Sequence, residues 1–257
     1  MANYDNRMTQ YGTARAEVGV DQGLRSYMLQ VYNYMTIGLL ITGAAAIGVF
    51  RLSITNDPAQ AAGQVGGLML SSFGATLFGG PLMWVVFLAP LALVLVLSFG
   101  VHRMSVATAQ AVFWAYAALV GVSLASIFMI YTAESITRVF FITAATFGAM
   151  SLWGYTTKRD LTGMGSFLFM GLIGIIIASI VNIFLASSAL QFAVSIIGVL
   201  VFTGLTAYDT QKIKEMYYVG DDGAVAGRKA IMGALTLYLD FINLFLMLLR
   251  LFGSNRE

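Results

Sequence analysis

The chain has 257 residues, of which 59% are hydrophobic and 10% charged, and it contains no cysteine. A water-soluble domain usually has about 45–50% apolar and about 25% charged residues. A core of this size cannot bury the excess, whereas a lipid bilayer can accept it. The missing cysteines exclude disulfides and cysteine metal sites. The net charge of +2 gives no reason to expect a nucleic-acid partner.

Seven stretches are long and apolar enough to cross a bilayer as helices, which takes about 20 residues each. A polar tail, residues 1–27, comes first, and its scattered charges leave no apolar core of the kind a signal peptide needs. The sequence therefore predicts an all-α polytopic fold, with one transmembrane domain over residues 28–253. The predicted spans are residues 28–50, 82–101, 106–131, 138–157, 164–186, 189–211 and 230–252.

Two stretches are locally ambiguous. Residues 63–80 are apolar but rich in Gly and Ser, which favours a flexible external loop over an interfacial or re-entrant segment. The fifth and sixth spans are separated only by residues 186–190. We prefer two helices there, because about 45 apolar residues would cross the bilayer twice.

Lysine and arginine are unevenly divided between the two sides of the predicted bundle. One side has only Arg51 and Arg138, and the positive-inside rule therefore places the amino terminus, on the opposite side, in the cytoplasm. Arg250 and Arg256 lie on the side with few basic residues if the seventh span crosses the membrane fully. They lie on the cytoplasmic side if that span is kinked or re-entrant. The richer side has ten: Arg7, Arg15, Arg25, Arg103, Lys158, Arg159, Lys212, Lys214, Arg228 and Lys229.

The seventh span carries an ionisable residue in its middle. Asp240 lies in AIMGALTLYLDFINLFLMLLRLF, with about ten mostly apolar residues on each side. A carboxylate at the bilayer centre costs roughly 2.5–3.5 kcal/mol, so it should face protein or water. The pattern predicts a functional polar stripe or, more simply, a carboxyl that hydrogen-bonds a neighbouring helix. Residues three or four positions apart share one face of a helix, and the face of Asp240 also carries Thr236, Asn243, Met247 and Arg250.

Two more charged residues lie near span ends on the predicted cytoplasmic side. Asp209 ends the sixth span, with Thr206 one turn earlier, and Arg103 ends the second. Either charge could by itself reach water or set the topology. If both converge with Asp240, the carboxyl groups would titrate as a unit and protonation would weaken the contact with Arg103. The ionised pair would offer oxygen ligands that suit Ca²⁺.

The segments AYDTQKIK at 207–214 and LYLDFINLFLMLLRLFG at 237–253 resemble the Bax inhibitor-1 family, also called TMBIM or YccA-like, and in particular its bacterial branch. The resemblance covers about residues 22–253 and leaves out the polar tail. It implies seven helices, with the last one central and surrounded by the other six. It also implies a multi-pass protein of the bacterial inner membrane.

Members of this family are associated with a pH-sensitive calcium leak and, in animals, with suppression of cell death. The family's di-aspartyl sensor carries over to Asp209 and Asp240, and its arginine latch to Arg103. Thr206, Thr236 and Asn243 would form the supporting polar face. Some members carry an acidic residue within the second span, where this chain has Ala92, and this departure suggests altered ion selectivity.

The favoured interpretation is a calcium or cation leak channel, gated by pH through the Asp209–Asp240 pair, which would also contact Ca²⁺. The partners expected are the bilayer and the cations, with no cofactor besides transported Ca²⁺. An interaction protein that modulates another membrane protein, such as a membrane-bound protease, is the main alternative. An enzyme is not expected, because intramembrane aspartyl proteases carry Gly-x-Gly-Asp where this chain has residues 237–240, Leu-Tyr-Leu-Asp. A proton-coupled transporter is a further alternative.

Overall fold

The computed structural model describes residues 2–256, with side chains from residue 22 onward. A small antiparallel hairpin, β1 (Gly63–Val65) and β2 (Leu68–Leu70), interrupts an otherwise helical chain. Turns of 3-10 helix lie at Pro58–Gln60 and Val101–Arg103. The helices are α1 (Ala2–Ser53), α2 (Ser72–Gly79), α3 (Leu82–Gly100), α4 (Val106–Leu124), α5 (Ile127–Ile130), α6 (Ala133–Thr156), α7 (Thr162–Leu185), α8 (Ser188–Glu215) and α9 (Gly223–Phe252).

The seven predicted spans are confirmed among the described residues. They correspond to α1 from Gln22, α3 with its 3-10 turn, α4 with α5, and α6 to α9 singly. The fifth and sixth spans are two helices, because α7 ends at Leu185 and α8 begins at Ser188. Ala186 turns the chain with a φ of 47°, and the Ser187 hydroxyl accepts a hydrogen bond from the Leu190 N–H. This side-chain cap satisfies one of the free N–H groups that begin a helix.

The segment between α1 and α3 is an ordered layer, so the expectation of a flexible external loop is wrong. Helix α2 packs against α1 and α3, and β2 is tied to the end of α1 by an antiparallel bridge between Leu70 and Ile54. Gly74 of α2 lies against the Ser53 backbone, where any Cβ would collide with the Ser53 carbonyl. The Gly and Ser residues that suggested flexibility therefore permit close backbone approach.

The last helix is the centre of the bundle, as the sequence resemblance implied, but four helices rather than the expected six pack against it. In its most apolar stretch 72% of the residues are buried, against 11–44% for the other spans. Helix α9 packs against α1, α4, α6 and α8. Because four neighbours surround it, α9 can carry polar groups that lipid-facing helices cannot.

Tyr238 joins three helices at the core of the bundle. Its side chain is fully buried and meets Phe113 and Tyr116 edge to face, with ring centroids 5.8 and 5.7 Å away. Its hydroxyl lies 2.6 Å from the Thr42 hydroxyl, which itself donates toward the carbonyl oxygens of Gly38 and Ala117. Since the Thr42 proton is directed to a carbonyl, the Tyr238 hydroxyl is the donor to Thr42. This cluster ties α9 to α1 and α4.

Changing Gly121 to alanine should lower the free energy of unfolding by about 1–3 kcal/mol, because the added methyl group overpacks a helix contact. A Cβ on Gly121 of α4 would meet the Thr42 carbonyl oxygen and the Ala45 side chain of α1. Thermal unfolding in detergent measures the loss. Gly148→Ala is the matched control, because a Cβ there meets nothing within 4 Å. Equal melting temperatures for the two variants would contradict the prediction.

The chain ends at the side of the bundle opposite the start of the first span. Asn255 pairs with Tyr131 in an antiparallel bridge, and Thr132 N–H donates to the Ser254 carbonyl. The Arg256 Nε donates to the Tyr131 carbonyl at 3.2 Å. The seventh span therefore crosses fully, and the kinked or re-entrant alternative is wrong. Arg250 and Arg256 join Arg51 and Arg138 at that side.

Candidate functional site

The antiparallel pair α8 and α9 brings Asp209 and Asp240 together. Residues 216–222 connect the two helices, and the carboxyl groups lie within hydrogen-bonding reach of each other. Two ionised carboxylates only accept hydrogen bonds, so a bond between them requires one shared proton. The pair then behaves as one titrating unit rather than as two independent acids.

The two carboxyl groups differ in their surroundings. Asp240 is 5% exposed, and its Oδ2 has no hydrogen-bond partner among the described residues. Asp209 is half-buried and lies one turn and a half from the end of α8 at Glu215. A buried carboxyl oxygen without a partner is costly, and such groups are retained where function requires them.

A cavity of about 880 Å³ opens between α7, α8 and α9, and both aspartates line it. Its α9 wall is the helical face that the sequence spacing indicated: Thr236, Asp240, Asn243, Met247 and Arg250, with Leu239 beside them. The α7 wall, from Gly165 to Ile183, is mostly apolar. The ring of Tyr208 lies where a Cβ on Gly165 would be, so α7 and α8 are close together near Asp209.

A second cavity, of about 220 Å³, lies between α8 and α9 and reaches Met216 at the loop side. Asp209, Lys212 and Thr236 line both cavities. The larger cavity extends along α9 as far as Arg250, near the opposite side of the bundle. Asp209 therefore lies where the two cavities meet, and Asp240 lines the larger one only.

Thr236 and Asn243 supply oxygen atoms close to the pair. The Thr236 hydroxyl donates to the Met232 carbonyl, and the Asn243 side-chain nitrogen donates to the Leu239 carbonyl. The Thr236 proton and one of the two Asn243 N–H groups are thus used on the helix backbone, and the hydroxyl and amide oxygens remain as acceptors. Together with the carboxyl groups these are ligand types that suit Ca²⁺. Among the described residues no group of three acidic or histidine side chains forms a metal cluster.

Lys212 is a site residue that the sequence reasoning missed. It lines both cavities, and its charge acts on Asp209. Its amine also lies 5.8 Å from the centroid of the Tyr208 ring. The sequence feature that could have pointed to Lys212 is its position three residues after Asp209, in DTQK. This spacing puts two side chains on neighbouring parts of one helix face.

Thr206 does not belong to the polar face, which corrects the prediction from sequence. It is fully buried, lines neither cavity, and its hydroxyl donates to the Phe202 carbonyl. The cavity face of α8 is formed by Leu205, Tyr208 and Asp209, together with Lys212. Three residues cover about 300° of a helix turn, so Thr206 is rotated onto the adjoining face that packs inside the bundle.

Arg103 is not brought to the aspartates in this structure. It is exposed in the 3-10 turn that follows α3, as is His102 beside it. Arg103 lines neither cavity and forms no ion pair within the part of the chain whose side chains are described. The cation beside Asp209 is Lys212.

A seven-span α-helical membrane protein with a carboxyl pair on its last two helices is the class that the fold and the site define. The chain matches the family described as "Inhibitor of apoptosis-promoting Bax1" over residues 24–257, and it belongs to the Bax inhibitor-1 family.

Three bacterial relatives cover nearly the whole chain. A Rickettsia prowazekii protein is 49% identical over 257 residues, which is 100% of both chains. A Caulobacter vibrioides protein is 48% identical, covering 95% of this chain and 94% of the relative. The Escherichia coli (strain K12) protein named "Inner membrane protein YbhL" is 50% identical, covering 91% of this chain and 94% of the relative.

Proposed function

We propose that this protein is a pH-sensitive leak path for calcium or other cations in the bacterial inner membrane, gated by the Asp209–Asp240 pair. The observation that carries the proposal is that both aspartates line the larger cavity and that Asp209 also lines the smaller one. The name of the Escherichia coli relative, an inner membrane protein, supports a location in the inner membrane. The ten basic residues on the side where the first span begins support a cytoplasmic amino terminus.

Gating would follow from the charge of the pair. With one shared proton the pair carries a single negative charge; loss of that proton adds a second charge and frees oxygen atoms for a cation. Protons and cations then compete for the same oxygens, so cation occupancy falls as the pH falls. The other titratable or charged groups on the cavity walls are Tyr208, Lys212 and Arg250, and α7 contributes none.

Arg103 remains a proposed latch for a different state of the protein. In this structure it lies exposed in its turn at the predicted cytoplasmic side. An interaction with Asp209 would require that turn to move toward α8. If Arg103 acts in this way, Arg103→Gln should change the pH at which flux changes and leave cation binding to the pair intact.

Calcium flux into liposomes at a series of pH values tests the proposal. We expect the flux of the unaltered protein to depend on pH, and Asp209→Asn and Asp240→Asn to lower the flux and flatten its pH profile. Asn has nearly the shape of Asp, so these changes remove the titrating group with little change in packing.

Asp160→Asn is the matched control. Asp160 is exposed in the connection between α6 and α7, and its Oδ1 accepts a hydrogen bond from the Thr162 N–H. Hydrogen bonds from Thr162 hold the pKa of the Asp160 carboxyl below its ordinary value, so its charge does not change near neutral pH. The dependence of calcium flux on pH in the Asp160→Asn variant should match that of the unaltered protein. The same flux and pH profile in all four proteins would refute the proposal.

A further inference from the structure

A groove lies between α1 and α6 on a different side of the bundle from the aspartates. Both helices pack against α9 but hardly touch each other. The groove has a volume of about 530 Å³ and is lined by α1 from Arg25 to Met35 and by α6 from Phe147 to Tyr155. None of its lining residues belongs to the cavities around the aspartates.

The length of the groove corresponds to one leaflet of a bilayer. Ten residues separate Arg25 from Met35, which is about 15 Å along a helix. The hydrocarbon core of a bilayer is about 30 Å thick, so each leaflet contributes about half of it. The groove begins near Gln22, where the first span begins. It therefore runs from one membrane surface to about the middle of the bilayer.

The walls of the groove suit a hydrocarbon chain. Its polar side chains below the mouth, Tyr32 and Ser151, bond to each other with their hydroxyl oxygens 2.5 Å apart. The Ser151 hydroxyl also bonds to Thr210, whose own proton goes to the Thr206 carbonyl. The proton of Ser151 is therefore directed to Thr210 and that of Tyr32 to Ser151. Neither Tyr32 nor Ser151 keeps a hydroxyl proton for a polar ligand, and the other walls below the mouth are apolar.

Positive charge from two helices is present at the mouth of the groove. Arg25 of α1 is exposed there. The second charge, Lys214 of α8, does not line the groove itself but contacts Tyr155, which does: its amine donates to the Tyr155 carbonyl at 2.9 Å and lies 5.3 Å from the centroid of the Tyr155 ring. That amine keeps two further N–H donors. Basic groups between helices at a membrane surface are the features that bind anionic lipid headgroups.

We propose that this groove binds an anionic phospholipid of the leaflet on the amino-terminal side. One acyl chain lies between α1 and α6, and the phosphate is held by Arg25 and Lys214. The proposal is independent of the cation path, because it uses other helices and other residues.

Native mass spectrometry of the detergent-purified protein, titrated with phosphatidylglycerol or phosphatidylcholine of the same acyl chains, tests the headgroup part. We expect one phosphatidylglycerol to bind more tightly than phosphatidylcholine, and Arg25→Gln to weaken it by about fivefold, the effect of one basic residue near a lipid surface. Arg51→Gln, at the other end of α1, should leave the preference unchanged. Equal affinities for the two lipids, or an unchanged preference in Arg25→Gln, would overturn the proposal.

Gly148→Leu tests the acyl-chain part. Gly148 lines the groove, and a Cβ there meets nothing within 4 Å, so the variant should fold while its side chain fills the groove. We expect both lipids to bind more weakly. Gly174→Leu is the control, because Gly174 of α7 is equally open but lies outside the groove. Tight phosphatidylglycerol binding that survives in Gly148→Leu would show that the lipid lies elsewhere.

Discussion

Replacing Tyr238 with alanine is expected to lower the free energy of unfolding by about 3–5 kcal/mol, the usual cost of removing a buried aromatic ring. The ring is fully buried between α1, α4 and α9 and meets Phe113 and Tyr116 edge to face. Its removal leaves a cavity where three helices meet, and it also removes the hydrogen bond to Thr42. Because the bundle is already packed around α9, little relaxation can fill the space.

Thermal or denaturant unfolding of the detergent-purified protein measures this loss. Tyr238→Phe is the control, because it keeps the ring and removes only the hydroxyl. The hydrogen bond is worth about 1 kcal/mol net, and Thr42 still has carbonyl acceptors on Gly38 and Ala117. Similar losses for the two variants would mean that the hydroxyl, and not the ring, stabilises the junction.

Replacing Asp240 with leucine should have two opposite effects. Cation flux should lose its pH dependence, because the shared carboxyl pair no longer exists. The free energy of unfolding should rise by about 1–3 kcal/mol, because the substitution removes a buried polar group whose Oδ2 has no partner. The adjoining cavity gives the larger leucine side chain room. A site that is retained for function often lowers stability in this way.

The same unfolding assay, together with flux measurements, checks this prediction. Asp240→Asn is the comparison, since it removes the titrating group but keeps a buried polar side chain, and it should gain little stability. A leucine variant that unfolds at a lower temperature than the unaltered protein would mean that the hydrogen bond between Asp240 and Asp209 is a net stabilising contact. The carboxyl pair would then have a structural role.

Apolar length and helical spacing were sufficient to predict the spans and one wall of the cavity. A span needs a long apolar run, which is a local property of the sequence. The stripe from Thr236 to Arg250 follows from helical periodicity, and these residues do line one cavity. Spacing alone left open whether Asp209 and Asp240 meet, and only the resemblance to the family implied the pair; the adjacent antiparallel helices α8 and α9 bring the two carboxyl groups together.

Other features depend on how helices are rotated and packed, which local spacing does not determine. Thr206 is only about 60° from Asp209 around α8, yet this rotation places it inside the bundle. Residues 63–80 have the composition of a loop, but tertiary contacts with α1 and α3 order them. The sequence identifies Lys212 only as one of the basic residues that set the topology, because its contact with the cavities depends on where α9 lies.

Helix α7 determines how the aspartates can be reached. In its most apolar stretch only 11% of the residues are buried, and it packs on α8 while hardly touching α9. No described residue of α3 or α4 covers the cavity on its other side. Of the two carboxyl groups on this cavity, the half-buried Asp209 is the more accessible, whereas Asp240 is buried. We therefore expect hydrophobic compounds dissolved in the bilayer, such as lipid-soluble carboxyl reagents, to react with Asp209 before they react with the buried Asp240.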